Sequence, residues 1–340
     1  MAAEKKNSSG LPSISVIIPA YNPGPELAEC LEPLRKSSYP RFEVLVVDDG
    51  SPVPVEVEEP FRVVRLAENS GPAAARNAGV EAAGGEIVLF VDTDVVVGGD
   101  CLEIVGEFYR DGTRRDRGLT GVQSEGMKYS NFASVYKNLW LRYSFLWAPR
   151  ESGLFYTSIA AVPRELFLRL GGFDGGYRTP SLEDTDFGNQ ILKSGGKVVI
   201  EGQLEVRHHK YYSLRGLLRN DFFRSADETR TWLRNRSGDQ ALFAGKTSVP
   251  LGFIAGLGFA ALGVLGVLGG LVFSSVFWLW LVLVALAGIW LSNLVMIQYM
   301  GKIRGNGFLL RVLAFLPLNL LVAGTGICWG LAGYFTGRKY

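Results

Sequence analysis

EIVLFVDTDV, residues 86–95, decides how this chain is read. Its apolar, β-branched run Ile87-Val88-Leu89-Phe90-Val91 predicts a buried strand. The run stops at two acids one residue apart, Asp92 and Asp94. Open α/β sheets bind ligands at the carboxyl ends of central strands. Carboxylates at such a position are the hard oxygen ligands that Mg²⁺ or Mn²⁺ takes beside a diphosphate. A D-x-D is common by chance, so the flanking chain has to carry the reading.

Upstream, SISVIIPA (13–20), FEVLVVDDGS (42–51) and RVVRL (62–66) predict three more strands. Helices are expected from near Glu26, with Leu27, Ala28, Leu31 and Leu34 on one face, and through the alanine-rich segment that Gly84-Gly85 stops. This alternation indicates an α/β fold with a mainly parallel sheet flanked by helices. Three strand ends then deliver polar residues to one sheet edge: Tyr21 and Asn22, Asp48 and Asp49, Asp92 and Asp94. A planar base can lie against Tyr21 while an acid accepts from its ring N–H, and Asp94 can hold a metal that bridges two phosphates. The combination points to a nucleotide.

A chain of 340 residues leaves room for about two domains. Beyond Lys246 lie five of the 35 basic groups and none of the 33 acids, which leaves 30 basic against 33 acidic groups before it. With no basic excess in that part, nucleic acid is not an expected partner. Cys30, Cys101 and Cys328 lack metal spacing and read as small hydrophobes in a reducing compartment. The start, MAAEKKNSSGLPS, has no apolar run, so residues 1–12 are expected to be a flexible segment and the first domain cytoplasmic.

At this point residues 13–94 resemble the amino-terminal half of a family 2 glycosyltransferase with the GT-A fold, which uses nucleotide-diphosphate sugars. SVIIPAYN, VVDDGS, the N-S-G-x-x-x-A-R-N-A-G stretch (69–79) and the D-x-D carry the resemblance by their order and separation. It implies that Pro19, Tyr21 and Asp49 line the donor base, with Asn22 among the donor-binding residues. Arg76 would approach base or phosphates, and Asp92 and Asp94 would serve ribose and metal. Segment 52–60, PVPVEVEEP, departs from the family, being too short and proline-rich for the helix often found there.

From 98 to 150 the signals soften. GDCLEIVGEFYRDG predicts a helix, TRRDRG a charged turn, and the aromatics of 127–149 read as core or membrane-interface contacts rather than a sugar platform. Residues 153–192 again resemble the family through Arg164-Glu165-Leu166-Phe167, Gly171-Gly172-Phe173-Asp174 and Glu183-Asp184. Acids in a first helical turn also suit the helix dipole, with Ser181 or Thr185 as cap. Taken with the upstream motifs, catalysis is the preferred role for Asp184, with Glu183 orienting acceptor or base. An inverting transfer needs charge neutralisation at the leaving diphosphate and a carboxylate base on the opposite face.

The strand GKVVIEGQLEVRHH (196–209) brings in the only two histidines, and His208 resembles the third metal contact of many GT-A enzymes beside Asp94 and Asp92. It closes a catalytic domain expected over 13–209. Residues 210–246 read as a basic, amphipathic juxtamembrane region at the bilayer surface, whose Arg224 and Arg230 would close over the diphosphate. Glu228-Thr229-Arg230-Thr231-Trp232 breaks the Q-x-x-R-W element of processive relatives. Residues 247–340 read as transmembrane, with spans at about 249–273, 276–300 and 312–335. Ser274-Ser275 would form a hairpin, the basic 301–311 loop would lie inside, and Arg338-Lys339 would form an external tail. The glycines of 252–270 suit close helix packing or a homo-oligomer.

The sequence thus predicts a multi-pass membrane protein with a cytoplasmic catalytic domain. It would be a Mg²⁺- or Mn²⁺-dependent inverting glycosyltransferase that moves one sugar from a UDP- or GDP-sugar to a lipid-linked or membrane-associated acceptor. A polyprenyl-phosphate glycosyltransferase ranks second, because Val95-Val96-Val97-Gly98-Gly99 lacks that clade's Gln-x-Pro-Pro-Glu type run. A processive polysaccharide synthase ranks third, since three spans make a poor polymer channel. A non-catalytic sugar-nucleotide-binding membrane protein comes last.

Overall fold

A computed structural model describes residues 10–176, 182–235 and 249–336. In chain order the elements are β1 (Ile14–Ala20), α1 (Glu26–Arg35), β2 (Phe42–Asp48), β3 (Arg62–Arg65), α2 (Pro72–Ala82), β4 (Ile87–Val91), β5 (Val95–Val97) and α3 (Cys101–Tyr109). Next come β6 (Arg117–Gln123), α4 (Phe132–Leu146), β7 (Glu151–Ser152), β8 (Ile159–Pro163), α5 (Arg164–Arg169), α6 (Glu183–Lys193) and β9 (Lys197–His208). Five helices follow: α7 (Leu214–Asn235), α8 (Leu251–Val272), α9 (Val276–Ser292), α10 (Leu294–Arg304) and α11 (Asn306–Phe335). Two compact units result: residues up to Lys128 with Pro149–His209, and Tyr129–Ala148 with Lys210–Tyr340. The helix α4 therefore belongs to the second unit although its sequence lies inside the first.

The first unit is a mixed sheet in the order β3-β2-β1-β4-β8-β6-β9-β5, with β7 on β9. β3, β2, β1 and β4 run parallel, as their alternation with helices predicts. β8 enters antiparallel between β4 and β6. In register, Ala20 stands opposite Asp48, and Asp48 opposite Arg65, so the strand ends emerge together. β4 is buried on both faces, as a continuous apolar run requires. On one side it joins the core of α1 and α3; on the other, Phe90 packs among Phe155, Phe167 and Phe173.

Two motif residues owe their identity to packing. Asn77 on α2 accepts the Phe173 N–H at 2.9 Å and donates to the Phe173 carbonyl at 2.8 Å, clamping the G-G-F-D loop to the helix. Gly79 lets α2 settle on the sheet, because a β-carbon there would meet Ile17 Cγ2 at 2.4 Å and Val47 Cγ2 at 2.9 Å. Segment 52–60 forms no helix; Asp48 holds it by accepting the Val55 N–H at 3.1 Å. A cavity of about 520 Å³ separates this segment from α1, lined by Leu27, Leu31, Val53 and Val55 among others.

In the second unit, α8 and α9 form a hairpin about Ser274-Ser275, with the Ser275 hydroxyl accepting the Phe277 N–H. Glycines of α8 make the contact close: a β-carbon at Gly269 would lie 2.2 Å from the Trp278 ring, and at Gly266 2.8 Å from Val282. The apolar run 276–300 is not one straight helix. It bends by 62° at Asn293, whose Nδ2 donates to the carbonyls of Ile289 and Gly252, both at 3.0 Å. The expected 301–311 loop is absent; α10 passes into α11 through Gly305 alone, at φ +81°. Inside α11, Pro317 has no N–H to offer the Leu313 carbonyl one turn back, and the Trp290 indole N–H fills that place at 3.0 Å. By length and composition α8 and α11 are each able to cross a membrane; α9, with 17 residues, stands at the short end of spanning length and passes that length together with α10 when the bent pair counts as one. Aromatics of α4 pack within this unit, Phe132 and Tyr136 against Phe315. Arg338 and Lys339 lie outside the described residues.

Gly79→Ala is expected to destabilise the chain by about 1–3 kcal/mol through overpacking. Thermal unfolding of the purified full chain in detergent measures it.

Candidate active site

Asp92 and Asp94 follow β4 in a tight turn closed by the Val95 N–H on the Asp92 carbonyl, at 3.1 Å. The turn sends the two carboxylates to different partners. Asp92 accepts from Arg76 Nη2 at 2.7 Å through one oxygen and from the Ser158 hydroxyl at 2.6 Å through the other. Asp94 Oδ1 lies 3.2 Å from His208 Nε2, and the Asp94 side chain is 36% exposed. The β5–β9 register produces this pair: Val95 stands opposite His208, and the His209 N–H donates to the Asp94 carbonyl at 2.7 Å.

Arg76 is the buried centre of the site, at 4% exposure. It rises from α2, donates to Asp92, and donates through Nη1 to Glu183 Oε1 at 2.9 Å. Phe173 lies beneath it, with the guanidinium 5.9 Å from the ring centre. Burial opposes its charge, but Asp92 and Glu183 more than offset that, and Asp184 adds to the same field, so its pKa is raised. Sequence reasoning expected Arg76 at the base or phosphates. With both terminal nitrogens engaged, it orders the acids instead.

Glu183 and Asp184 open α6. Glu183 is 4% exposed and turned to Arg76, whereas Asp184 is half-buried, its Oδ1 accepting the Thr185 N–H at 2.7 Å. Leu182 occupies the cap position without a side-chain cap bond, so Thr185 does not cap α6, and Ser181 lies outside the described residues.

The 48–49 acids serve the loops. Asp48 is fully buried and accepts from the Ser51 N–H, the Val55 N–H and Arg65. Burial works to raise its pKa, but these bonds and Arg65 hold it below the usual carboxylate range. Asp49 accepts the Ser70 and Gly71 N–H groups at 2.8 and 2.9 Å, tying β2 to the start of α2; burial still pushes its carboxyl up. Both Asp49 oxygens are thus occupied by backbone where a base contact was expected. Tyr21 is 51% exposed beside Asn22, which sits in the left-handed region at φ 44° and donates its N–H to Ser51 Oγ. The Pro19 carbonyl accepts from the Thr93 hydroxyl. Arg224 and Arg230 belong to the second unit, and each pairs with an acid about one turn away, Glu228 and Asp227.

A carboxylate and an imidazole at 3.2 Å, both reaching solvent, form a donor pair suited to a divalent cation that takes its other ligands from phosphate and water. Among the described residues no three His, Cys, Asp or Glu side chains gather with metal spacing. Asp92, counted with the metal ligands by sequence, has both oxygens committed to Arg76 and Ser158. Ser158 was missed: it lies one residue before β8, and no motif marks it.

Residues 15–165 match the family model described as "Glycosyl transferase family 2". A Haemophilus influenzae protein described as an uncharacterized glycosyltransferase is 29% identical over 193 residues, covering 53% of this chain and 62% of that protein. A Bradyrhizobium N-acetylglucosaminyltransferase is 38% identical over 101 residues, covering 26% of this chain and 66% of that protein. The chain thus spans less than two thirds of either relative. Among solved structures, the mannosyltransferase PcManGT from Pyrobaculum calidifontis, in complex with GDP-Man and Mn²⁺, aligns over 95% of this chain and 89% of its own at TM-score 0.54 and 20% identity. The fold is that of GT-A proteins.

Arg76→Met would leave two carboxylates facing each other without their shared cation. It is expected to cost about 3–5 kcal/mol, the range for breaking a buried pair from one side. Adding Asp92→Asn and Glu183→Gln to Arg76→Met should restore part of that loss in thermal unfolding.

Proposed function

Because residues 15–165 match the model of glycosyl transferase family 2, we propose that the chain is a member of that family and that it transfers a single sugar, with inversion, from a nucleotide-diphosphate sugar to a lipid-linked or membrane-associated acceptor. The observation that carries this reading is the Arg76 bridge. It ties the Asp92 turn to the start of α6, so that the Asp94–His208 pair and Asp184 come from one rigid frame. The neighbour's complex with GDP-Man and Mn²⁺ is in keeping with such a donor and with a divalent cation.

Exposed Tyr21 offers a ring face to the donor base, beside Asn22 and Pro19. Asp92, oriented by Arg76 and Ser158, stands at the ribose end. Asp94 and His208 would hold Mg²⁺ or Mn²⁺, which when bound neutralises the leaving diphosphate. In the transfer, the bond from the anomeric carbon to the diphosphate oxygen breaks as the acceptor oxygen bonds to the opposite face. The hydroxyl proton passes to Asp184. Glu183, held by Arg76, orients this base. The long apolar helices of the second unit support anchoring to a lipid bilayer, with the nucleotide-sugar site in the cytoplasm.

Asp94→Ala is expected to abolish turnover of the donor, measured with a panel of nucleotide sugars and native lipid extract. Asp184→Asn should lower transfer by about 10²–10⁴-fold with a hydroxyl acceptor. A lipid phosphate, already ionised, would leave the Asp184→Asn rate near that of the unsubstituted chain. Wild-type failure to turn over any donor would sink the enzymatic reading.

A further inference from the structure

The second unit contains two kinds of apolar helix, distinguished by what packs on them. The α8–α9 hairpin carries no charge anywhere between Lys246 and Lys302. Its inner face is glycine against large side chains, with Gly288 under Phe259 and Gly269 under Trp278. Its outer face is bare apolar surface towards the tip, where Leu268, Leu271, Val276, Leu279 and Trp280 are all exposed. Such a surface fits hydrocarbon on every side. α8 has 22 residues, about 33 Å at 1.5 Å per residue, matching a hydrocarbon core of about 30 Å.

α11 is less apolar but still long and apolar enough to cross, and one face of it is covered by α4 and the charged α7. At its amino-terminal end Phe308 and Phe315 pack on Phe132 of α4. At mid-length Asn319, 2% exposed, accepts from the Tyr136 hydroxyl at 3.0 Å and donates to Asp221 at 2.8 Å. Asp221 also accepts from Lys137 Nζ at 2.6 Å. Further on, α7 lies so close that a β-carbon at Gly326 would sit 2.3 Å from the Phe222 carbonyl oxygen, and one at Gly330 2.5 Å from that of Ala226. Both helices advance together along this contact, so they run parallel. α7 is no membrane helix: Arg219, Asp221, Arg224, Asp227, Glu228 and Arg230 fall within twelve residues, and the Arg224–Glu228 pair stays over a third exposed. Its charged outer face needs water or headgroups. The stretch of α11 before Asn319 is 13 residues, about 20 Å, too short to cross about 30 Å of hydrocarbon.

We infer that only the α8–α9 hairpin crosses the bilayer. α11 lies along the membrane–water interface on its α4–α7 support, and its carboxyl end emerges on the side where α7 begins. The bend at Asn293 fits this placement: there α9 leaves the hairpin and α10, with Lys302 and Arg304 in its last turn, turns away. This rests on the bilayer anchoring proposed above. It replaces the three crossings and external tail that hydropathy suggests.

Thiol labelling tests it on the full chain in sealed membrane vesicles of both orientations, with a membrane-impermeant maleimide. Cys30 and Cys101 are buried and Cys328 is exposed, so Cys328→Ser gives a silent background. Into it go Asp116→Cys, Ser274→Cys and Thr336→Cys, singly and at exposed positions. The expected result is that Asp116→Cys and Thr336→Cys label only from one side and Ser274→Cys only from the other. Labelling of Thr336→Cys from the side opposite Asp116→Cys would mean that α11 crosses. Labelling of Ser274→Cys from the Asp116→Cys side would mean that the hairpin does not. Either outcome overturns the inference while leaving the anchoring intact. Release of the chain by alkaline carbonate wash would overturn both.

Discussion

One buried guanidinium holds the first unit's chemistry together. Arg76 gives up water at 4% exposure, which a pair of carboxylates compensates, and it finds them 16 and 107 residues further along the sequence. Its planar fork reaches Asp92 with one nitrogen and Glu183 with the other, a geometry a lysine ammonium does not provide. α2, the turn after β4 and the first turn of α6 are thereby fixed against one another. Phe173 seals the underside, and Asn77, next in sequence to Arg76, clamps the Phe173 backbone. A charge network and an aromatic core thus meet at the same two residues of α2.

The same bridge divides labour between acids that look equivalent in the motif. Asp92, with Arg76 on one oxygen and Ser158 on the other, is immobilised; Asp94 remains over a third exposed, with the His208 imidazole 3.2 Å from its Oδ1. Glu183 and Asp184 divide in the same way, the first buried against Arg76 and the second nearer to solvent. In each pair one carboxylate is held in the Arg76 network and the other is left nearer to solvent. The acids of 48–49 are all geometry, satisfying loop amides that would otherwise be stranded at the sheet edge.

Much of this was legible in the sequence. Continuous apolar runs located β1, β2 and β4, and their polar ends emerge together at one sheet edge. β6, RGLTGVQ, escaped notice because its two glycines and the charged turn before it hide any alternation, although it lies buried in the sheet. Arg76 and its partner Glu183 were each found, but their pairing is tertiary and no local pattern encodes it. Hydropathy in the second unit registers how apolar a helix is, not what packs on it, so 312–335 reads like 249–273 although Gly326 and Gly330 admit the charged α7. The break at Asn293 was visible as a polar pair, Ser292-Asn293, inside an apolar run.

The bond between Trp290 and the Leu313 carbonyl also has a mechanical side. Proline at 317 leaves one rung of the α11 ladder open, and an indole from another helix fills it. A defect within one helix therefore becomes a fastener between two. A residue at 317 with its own N–H would compete for the same carbonyl oxygen, so that completing the α11 ladder and keeping α9 attached become opposing demands. The stiffness of one helix and the grip on its neighbour are set by a single atom.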